Sequence, residues 1–150
     1  MNNTESKIKE STQIFFKNMG FLVEIKSLEL KDEIYFLNLE SDDARILIGE
    51  GGDILFKIQS ILNKIINKEL DQDLCLDLDI NGYKKTRTQY LMEISENLAK
   101  EVAESGQAKS IGNLSAYERR VIHMQISQFP DLSTESVGEG EERKIIIKPK

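Results

Sequence analysis

The spacing of hydrophobic residues alternates between two periods along the chain, which predicts a protein of mixed helices and strands. Helical spacing predicts helices over residues 5–18, 53–67, 86–104 and 115–128, with a short helical segment after Asp42 and Asp43 that ends at a glycine cluster. Alternation of apolar and polar residues predicts strands over residues 21–26, 34–39, 74–80, 108–111, 132–137 and 143–148.

The predicted element order favours two small α+β domains over one mixed sheet. The order is α-β-β-α-α-β followed by α-β-α-β-β. The segment "NGYKK" at residues 81–85 interrupts the pattern between the two groups of elements. We therefore expect one domain over residues 5–82 and a second over residues 83–150.

Several residues predict where individual helices begin and end. Gly20 is expected to stop the first helix. Ser115 and Glu118 have the spacing of a capping box, which predicts that the last helix begins there, and Pro130 is expected to end that helix region.

Two of the helices carry a predicted apolar face. In the helix after the glycines, the face comprises Ile54, Leu55, Ile58, Ile61, Leu62, Ile65 and Ile66. In the helix over residues 86–104, it comprises Tyr90, Leu91, Ile94, Leu98 and Val102.

Composition narrows the class of protein to a globular one. Hydrophobic residues make up 39% and charged residues 31% of 150 residues, and no apolar run approaches the length of a membrane span. The first ten residues lack the apolar core of a signal peptide, so a cytoplasmic location is expected. Cys75 is the single cysteine, which excludes an internal disulfide and a cysteine-cluster metal site, and no cofactor is predicted.

The charge is distributed unevenly between the two halves. Residues 1–83 carry 9 Lys and Arg against 16 Asp and Glu, a net charge of −7. Residues 84–150 carry 11 against 10, a net charge of +1. Since a polyanion responds to the local potential, the second half is the better candidate for contact with nucleic acid.

The turn "GEGG", Gly49 to Gly52, is the first candidate site. A Gly-x-x-Gly turn between two helices allows a sugar-phosphate backbone to approach closely, with helix N-terminal amides directed at the anion. A second interpretation is that the turn needs glycine for its geometry alone. Gly51 lies inside this turn together with Glu50, an acidic residue where a phosphate-binding turn would carry a basic one.

The segment "YERRVIH", Tyr117 to His123, is the second candidate site. Arg119 and His123 are four residues apart, so they are expected on one face of the helix, with Arg120 beside them. Arginine forms forked hydrogen bonds to phosphate, and an imidazole can stack on a base. The alternative is that His123 is half-buried and Arg119 is a solvated charge.

Two further groups of residues are candidates beside these sites. Lys84, Lys85 and Arg87 either form a solvated helix start or extend a track of phosphate contacts. The segment "DLDING", Asp77 to Gly82, matches half of a calcium loop, but its twelfth position is Thr88 instead of glutamate. Asp73, Asp77 and Asp79 are instead expected on the solvated face of a strand, and no metal site or catalytic set is predicted.

Two stretches resemble the domains of a known bacterial family. "LIGEGGDILFKIQSILNKIIN" is similar to the Gly-x-x-Gly turn and following helix of a KH type II domain. "YERRVIH" followed by "TESVGEGEERKIIIKP" resembles the R-three-H domain, named for its Arg-x-x-x-His signature. This arrangement resembles the Jag/KhpB (SpoIIIJ-associated) family from about residue 5 to residue 148, without the N-terminal Jag domain that many members carry.

The resemblance implies a bacterial RNA-binding protein without enzymatic activity. It implies a post-transcriptional regulator or RNA chaperone linked to cell shape, envelope growth and division. The implied partners are single-stranded RNA or single-stranded DNA and a small stand-alone KH protein, with no membrane insertion. Both a monomer and a dimer fit the sequence.

Two hypotheses about function remain open at this point. In the first, both domains bind single-stranded RNA. In the second, the acidic first domain has lost contact with RNA and pairs with another KH protein as an adaptor. The candidate RNA-binding residues are Arg45, Gly49, Glu50, Gly51, Gly52, Lys57, Lys84, Lys85, Arg87, Arg119, Arg120 and His123.

Overall fold

The computed structural model describes residues 2–150 and divides the chain into two compact units. The N-terminal unit ends at Lys84, and the C-terminal unit runs from Lys85 to Lys150. Helices and strands follow one another in the predicted order in both units, which confirms the α+β class.

The N-terminal unit packs three helices on a three-stranded sheet. Its elements are α1 (Asn3–Met19), β1 (Glu24–Lys31), β2 (Ile34–Glu40), α2 (Ala44–Ile48), a 3-10 turn (Glu50–Gly52), α3 (Asp53–Leu70) and β3 (Cys75–Ile80). The strand order is β1-β2-β3, with β1 antiparallel and β3 parallel to the central β2. The parallel pair requires a crossover, which α2 and α3 supply.

Alternating residues of β2 and β3 form one face of the core of the N-terminal unit. The buried positions on the two strands are Tyr35, Leu37, Leu39, Leu76, Leu78 and Ile80. Ile8 and Phe16 of α1 and Leu62 of α3 are fully buried against them. The predicted alternation over residues 74–80 is therefore confirmed, with Leu74 half-buried just before the strand.

The first strand begins later than its sequence pattern predicts. Gly20 ends α1 in the left-handed conformation, as expected, and its N–H donates to the Lys17 carbonyl. The N–H of Phe21 also donates back, to the Phe16 carbonyl, at 2.9 Å. Since this helix ending uses the backbone of Phe21, β1 starts only at Glu24.

The apolar stripe of α3 is only partly buried. Leu55, Ile58, Leu62 and Ile66 are in the core, as expected. Ile54 and Ile61, assigned to the same stripe, are 38% and 50% exposed. The stripe was predicted too wide, because a helix lying on a sheet buries only part of its circumference.

The C-terminal unit packs two helices on a second three-stranded sheet. Its elements are α4 (Tyr83–Ser105, whose first two residues belong to the N-terminal unit), β4 (Lys109–Ile111), α5 (Ala116–Ile126), β5 (Leu132–Val137), a 3-10 turn (Gly140–Glu142) and β6 (Lys144–Pro149). The strand order is β4-β6-β5, and both pairs are antiparallel. The core comprises Leu91, Ala99, Val102, Ile122, Ile126, Leu132, Ile145 and Ile147.

Helix α4 begins at Tyr83, three residues earlier than the predicted Thr86. Oδ1 of Asp79 accepts a hydrogen bond from the Lys84 N–H at 3.1 Å, which satisfies a donor in the first turn. Asn81, at φ 54°, ties the preceding turn to Ser41 through hydrogen bonds of 2.9 and 3.0 Å. The side chains of Asp79 and Asn81 thus favour an early helix start that periodicity alone did not show.

Candidate nucleic-acid interface

The GEGG turn connects α2 to α3 through backbone conformations that favour glycine. Gly49 has φ 72° and ψ −175°, Gly51 has φ 62°, and Gly52 has φ 81°. A left-handed conformation costs an L-residue roughly 1–2 kcal/mol. Gly52 is buried and Glu50 is exposed at the tip.

Two of these glycines also lie too close to neighbouring side chains to carry a Cβ atom. A Cβ on Gly49 would lie 2.4 Å from Cγ1 of Ile54. A Cβ on Gly52 would lie 2.9 Å from Cε1 of Tyr83 and 3.3 Å from Cε2 of Phe56. Internal packing is therefore sufficient to explain glycine at both positions, as the second interpretation of the turn expects.

The charged side chains around the turn present little net positive charge. Glu50 is exposed in the turn, and Arg45 lies one helical turn earlier, at the start of α2. Lys57 pairs with Asp53 in the first turn of α3, at 2.8 Å between Nζ and Oδ2. Of the two cations predicted to bind RNA here, Lys57 is thus compensated by a neighbouring carboxylate.

Lys84 is held by three neighbours in the N-terminal unit. Its ammonium lies 2.8 Å from Oδ1 of Asp77 and 2.6 Å from Oε1 of Gln59, and it is 5.0 Å from the ring centroid of Phe56. Its side chain is only 17% exposed. Lys84 therefore stabilises the packing of β3 against α3 and offers little charge to a ligand, which also means that Asp77 is not simply solvated.

Arg87 is anchored to a buried carboxylate within the C-terminal unit. Its Nε donates to Oε1 of Glu118 at 2.7 Å, and the Glu118 side chain is 3% exposed. Oε2 of Glu118 accepts the Ser115 N–H at 3.0 Å, while Ser115 Oγ accepts the Glu118 N–H at 3.1 Å. The predicted capping box is confirmed, and one of its members also fixes the guanidinium of Arg87.

Arg119 and His123 extend from α5 to different neighbours. Nη1 of Arg119 donates to the Leu114 carbonyl at 2.7 Å, just before the helix. Nδ1 of His123 contacts Oγ1 of Thr134 on β5. His123 is exposed and Arg119 half-buried, the reverse of the exposures that the alternative interpretation assigns to them.

Both residues of the signature remain able to contact an anion. A guanidinium has five N–H donors, so one bond to a carbonyl orients Arg119 and leaves others for a ligand. The contact of His123 with Thr134 engages Nδ1, so Nε2 is the nitrogen that a ligand would meet. Arg120 on α5 and Lys85 on α4 are exposed cations of the same unit.

Tyr90 is a surface residue that the sequence pattern placed on the wrong face. It was assigned to the apolar face of α4, but its side chain is 51% exposed, whereas the adjacent Leu91 is buried. The guanidinium carbon of Arg87 lies 5.4 Å from the centre of the Tyr90 ring. The i, i+3 spacing of an arginine and a tyrosine was the available signal for this contact.

Neither a metal site nor a membrane span is found within residues 2–150. These residues contain no group of three or more His, Cys, Asp or Glu side chains placed to hold a metal ion. Within the same range, no helix is long and apolar enough to cross a membrane.

Residues 89–149 match the R-three-H domain, a match that includes α5 with its Arg119 and His123. Most of the chain is also similar to proteins named RNA-binding protein KhpB. This chain is 30% identical over 133 residues to the RNA-binding protein KhpB of Clostridium symbiosum. The aligned residues cover 89% of this chain and 60% of the relative. It is 25% identical over 115 residues to that of Bacillus subtilis, covering 75% and 55%.

A third relative, the RNA-binding protein KhpB of Lactiplantibacillus plantarum, is 23% identical over 111 residues, covering 74% of this chain and 34% of the relative. The chain thus spans 60% or less of the length of these three relatives. Residues 89–149 are therefore an R-three-H domain, and most of the chain is similar to part of the KhpB proteins.

Proposed function

We propose that this protein binds single-stranded RNA, with the C-terminal unit supplying more of the electrostatic attraction. The observation that carries the proposal is the group of two arginines and a histidine on α5, Arg119, Arg120 and His123, within an R-three-H domain. Arg119 is oriented by a backbone carbonyl and His123 by Thr134, so both are partly preorganised for an anion. The relatives' name, RNA-binding protein KhpB, supports the same function.

The charges of the N-terminal unit favour a smaller contribution to phosphate binding. This half of the chain carries a net charge of −7 over residues 1–83. Its turn carries Glu50, and two of its candidate cations, Lys57 and Lys84, are paired with carboxylates. Screening by these carboxylates weakens the attraction of each lysine for a phosphate.

The N-terminal unit is proposed to be a KH type II domain over residues 5–82, followed by the R-three-H domain over residues 83–150. Its order, α-β-β-α-α-β, with a Gly-x-x-Gly turn between α2 and α3, supports this assignment. RNA would approach the turn through Gly49, Gly51 and Gly52, with Arg45 contributing charge. We further propose the family's regulatory role in cell-envelope growth and division, with a small stand-alone KH protein as a partner.

The proposal is tested by measuring the binding of a fluorescently labelled oligouridylate of about 12 nucleotides. Fluorescence anisotropy gives the affinity at about 50 and about 200 mM salt. We expect binding that weakens with salt. Replacing Arg119 and His123 together by alanine should weaken binding and lower the slope of log K against log salt by about 0.7 for each lost phosphate contact.

A matched control removes one positive charge elsewhere in the same unit. Lys100 lies on α4, 62% exposed and paired with Glu96, so Lys100→Ala should change affinity little. The proposal is wrong if the protein does not bind at low salt. The role of the Arg119 and His123 pair is wrong if the double variant binds as tightly as the Lys100→Ala protein.

A second candidate function is a protein-interaction adaptor that uses the N-terminal unit. The net charge of −7 and the exposed Glu50 favour it, because both oppose RNA at this unit. Pulldown from a bacterial lysate, with and without nuclease, separates the two functions. Partners that survive nuclease support the adaptor, and partners lost with nuclease support the RNA-binding protein.

A further inference from the structure

Tyr90 exposes half of an aromatic ring on the surface of α4. The side chain is 51% exposed in a unit whose apolar core contains Leu91, the next residue in the chain. A large ring kept at the surface of a helix contributes little to folding compared with a buried one. Half of the ring is therefore accessible to a ligand.

The ring lies beside a cation that the fold holds in place. The guanidinium carbon of Arg87 is 5.4 Å from the ring centre, within the range of a cation–π contact. Arg87 is in turn fixed by its 2.7 Å bond to Glu118, and Glu118 is fixed by the capping box with Ser115. A chain of charge-assisted hydrogen bonds thus restricts the position of the Arg87 side chain.

The combination of a rigid cation and an exposed ring has the chemistry of a base-stacking site. Nucleic-acid bases stack on aromatic side chains and on arginine planes, largely without regard to sequence. The guanidinium lies 2.7 Å from the buried Glu118 carboxylate, so the site would hold a base through its ring and guanidinium planes and adds little net positive charge.

We propose that Tyr90, supported by Arg87, is a stacking site for one base of single-stranded RNA. The site deepens the proposed RNA-binding function and rests on it. Arg87 acts here as a positioning residue: Glu118 and Ser115 hold the guanidinium, and the guanidinium constrains one side of the ring. The exposed part of the ring is the surface that receives the base.

The tyrosine content of the chain allows the contact to be observed directly. The sequence contains four tyrosines and no tryptophan, so intrinsic fluorescence reports on tyrosine alone. Titration with an unlabelled oligouridylate of about 12 nucleotides should quench part of this fluorescence as a base stacks on Tyr90. The same RNA carrying a fluorescein label gives the affinity by anisotropy.

Three variants separate stacking from other effects. Tyr90→Leu keeps an apolar side chain but removes the ring, and we expect affinity to fall about tenfold, the effect of losing one stacked base. Tyr90→Phe keeps the ring, so it should bind like the original protein while losing the quenching that belongs to Tyr90. Met92→Ala removes another exposed apolar side chain of α4, 42% exposed, and should leave both signals unchanged.

The outcomes distinguish this site from the wider RNA-binding function. If the original protein binds RNA and Tyr90→Leu binds equally well, the stacking site is wrong and RNA binding stands. If Tyr90→Phe weakens binding as much as Tyr90→Leu does, the hydroxyl rather than the ring is responsible, and stacking is again wrong. If the original protein binds no RNA, both proposals fail.

Discussion

Breaking the ion pair between Arg87 and Glu118 on one side only should strongly destabilise the C-terminal unit. Replacing Arg87 by methionine would leave the Glu118 carboxylate, 3% exposed, without its cation. Removing one partner of a buried pair costs roughly 3–5 kcal/mol. Glu118 would keep the Ser115 N–H, and Arg87 is 27% exposed, so we expect the lower figure, a loss of about 3 kcal/mol.

This loss is large compared with the stability of a small domain. Unfolding free energies lie at roughly 5–15 kcal/mol, so Arg87→Met would remove a fifth or more of the total. With a urea m-value of about 1 kcal/mol/M for a unit of this size, the midpoint should fall by about 3 M. Urea titration monitored by NMR through amide signals of residues 85–150 would follow this unit separately from the other.

An exposed ion pair on the same helix provides the control. Lys100 pairs with Glu96 at 3.2 Å, and both side chains are at least half exposed. Lys100→Met should cost about 0.5 kcal/mol or less. Replacing Arg87 by methionine and Glu118 by leucine together should recover most of the loss, apart from about 1 kcal/mol for the capping box.

The reasoning would be refuted by a small effect of the single substitution. If Arg87→Met shifts the midpoint no further than Lys100→Met does, water screens the Arg87–Glu118 pair in spite of its burial. If the double variant is less stable than Arg87→Met alone, the unpaired carboxylate was not the source of the loss.

Three further predictions test the turn and a surface pair. Glu50→Lys should tighten RNA binding and steepen its salt dependence, and an unchanged affinity in anisotropy would mean that RNA does not meet the protein at this turn. Gly49→Ala should destabilise the N-terminal unit by about 2 kcal/mol or more in urea unfolding, because its Cβ would fall 2.4 Å from an isoleucine carbon. The control Gly20→Ala has φ 85° and open space around it, so it should lose only the stability that the left-handed backbone conformation costs. The Lys148 ammonium, 2.8 Å away, lowers the pKa of Glu135, so this pair should stabilise the fold at neutral pH and lose its effect as the pH falls through that lowered pKa. NMR titration of the Glu135 carboxyl should show its pKa return to the usual range in Lys148→Gln.

Local sequence signals predicted the element order, because each depends on a few neighbouring residues. The glycine that ends α1, the capping box of α5 and the alternation of β3 all act over one to four positions. The predicted starts of β1 and α4 were wrong, because hydrogen bonds that the hydrophobic pattern does not show determine where these elements begin. Phe21 closes the end of α1 and delays β1, and Asp79 starts α4 early.

The candidate site was less predictable because its important contacts join distant residues. Arg87 and Glu118 are 31 positions apart, and Lys84 reaches Gln59 across 25. Charge patterning identified the cations, yet it could not show which of them are already paired. Tyr90 was misassigned for a related reason, since helical spacing does not show how much of α4 the sheet covers.

The glycines and the acidic residue of the GEGG turn have separate explanations. Gly49 and Gly52 favour glycine through their positive φ values and because Ile54 and Tyr83 lie close to where a Cβ atom would be, whether or not RNA is present. The glycine spacing alone is therefore weak evidence for RNA contact. The charge at Glu50 is under no such packing constraint, since its side chain is exposed, and it is the residue whose sign decides the turn's attraction for phosphate. Phosphate binding can therefore depend more on the C-terminal unit while the N-terminal unit keeps its Gly-x-x-Gly turn geometry.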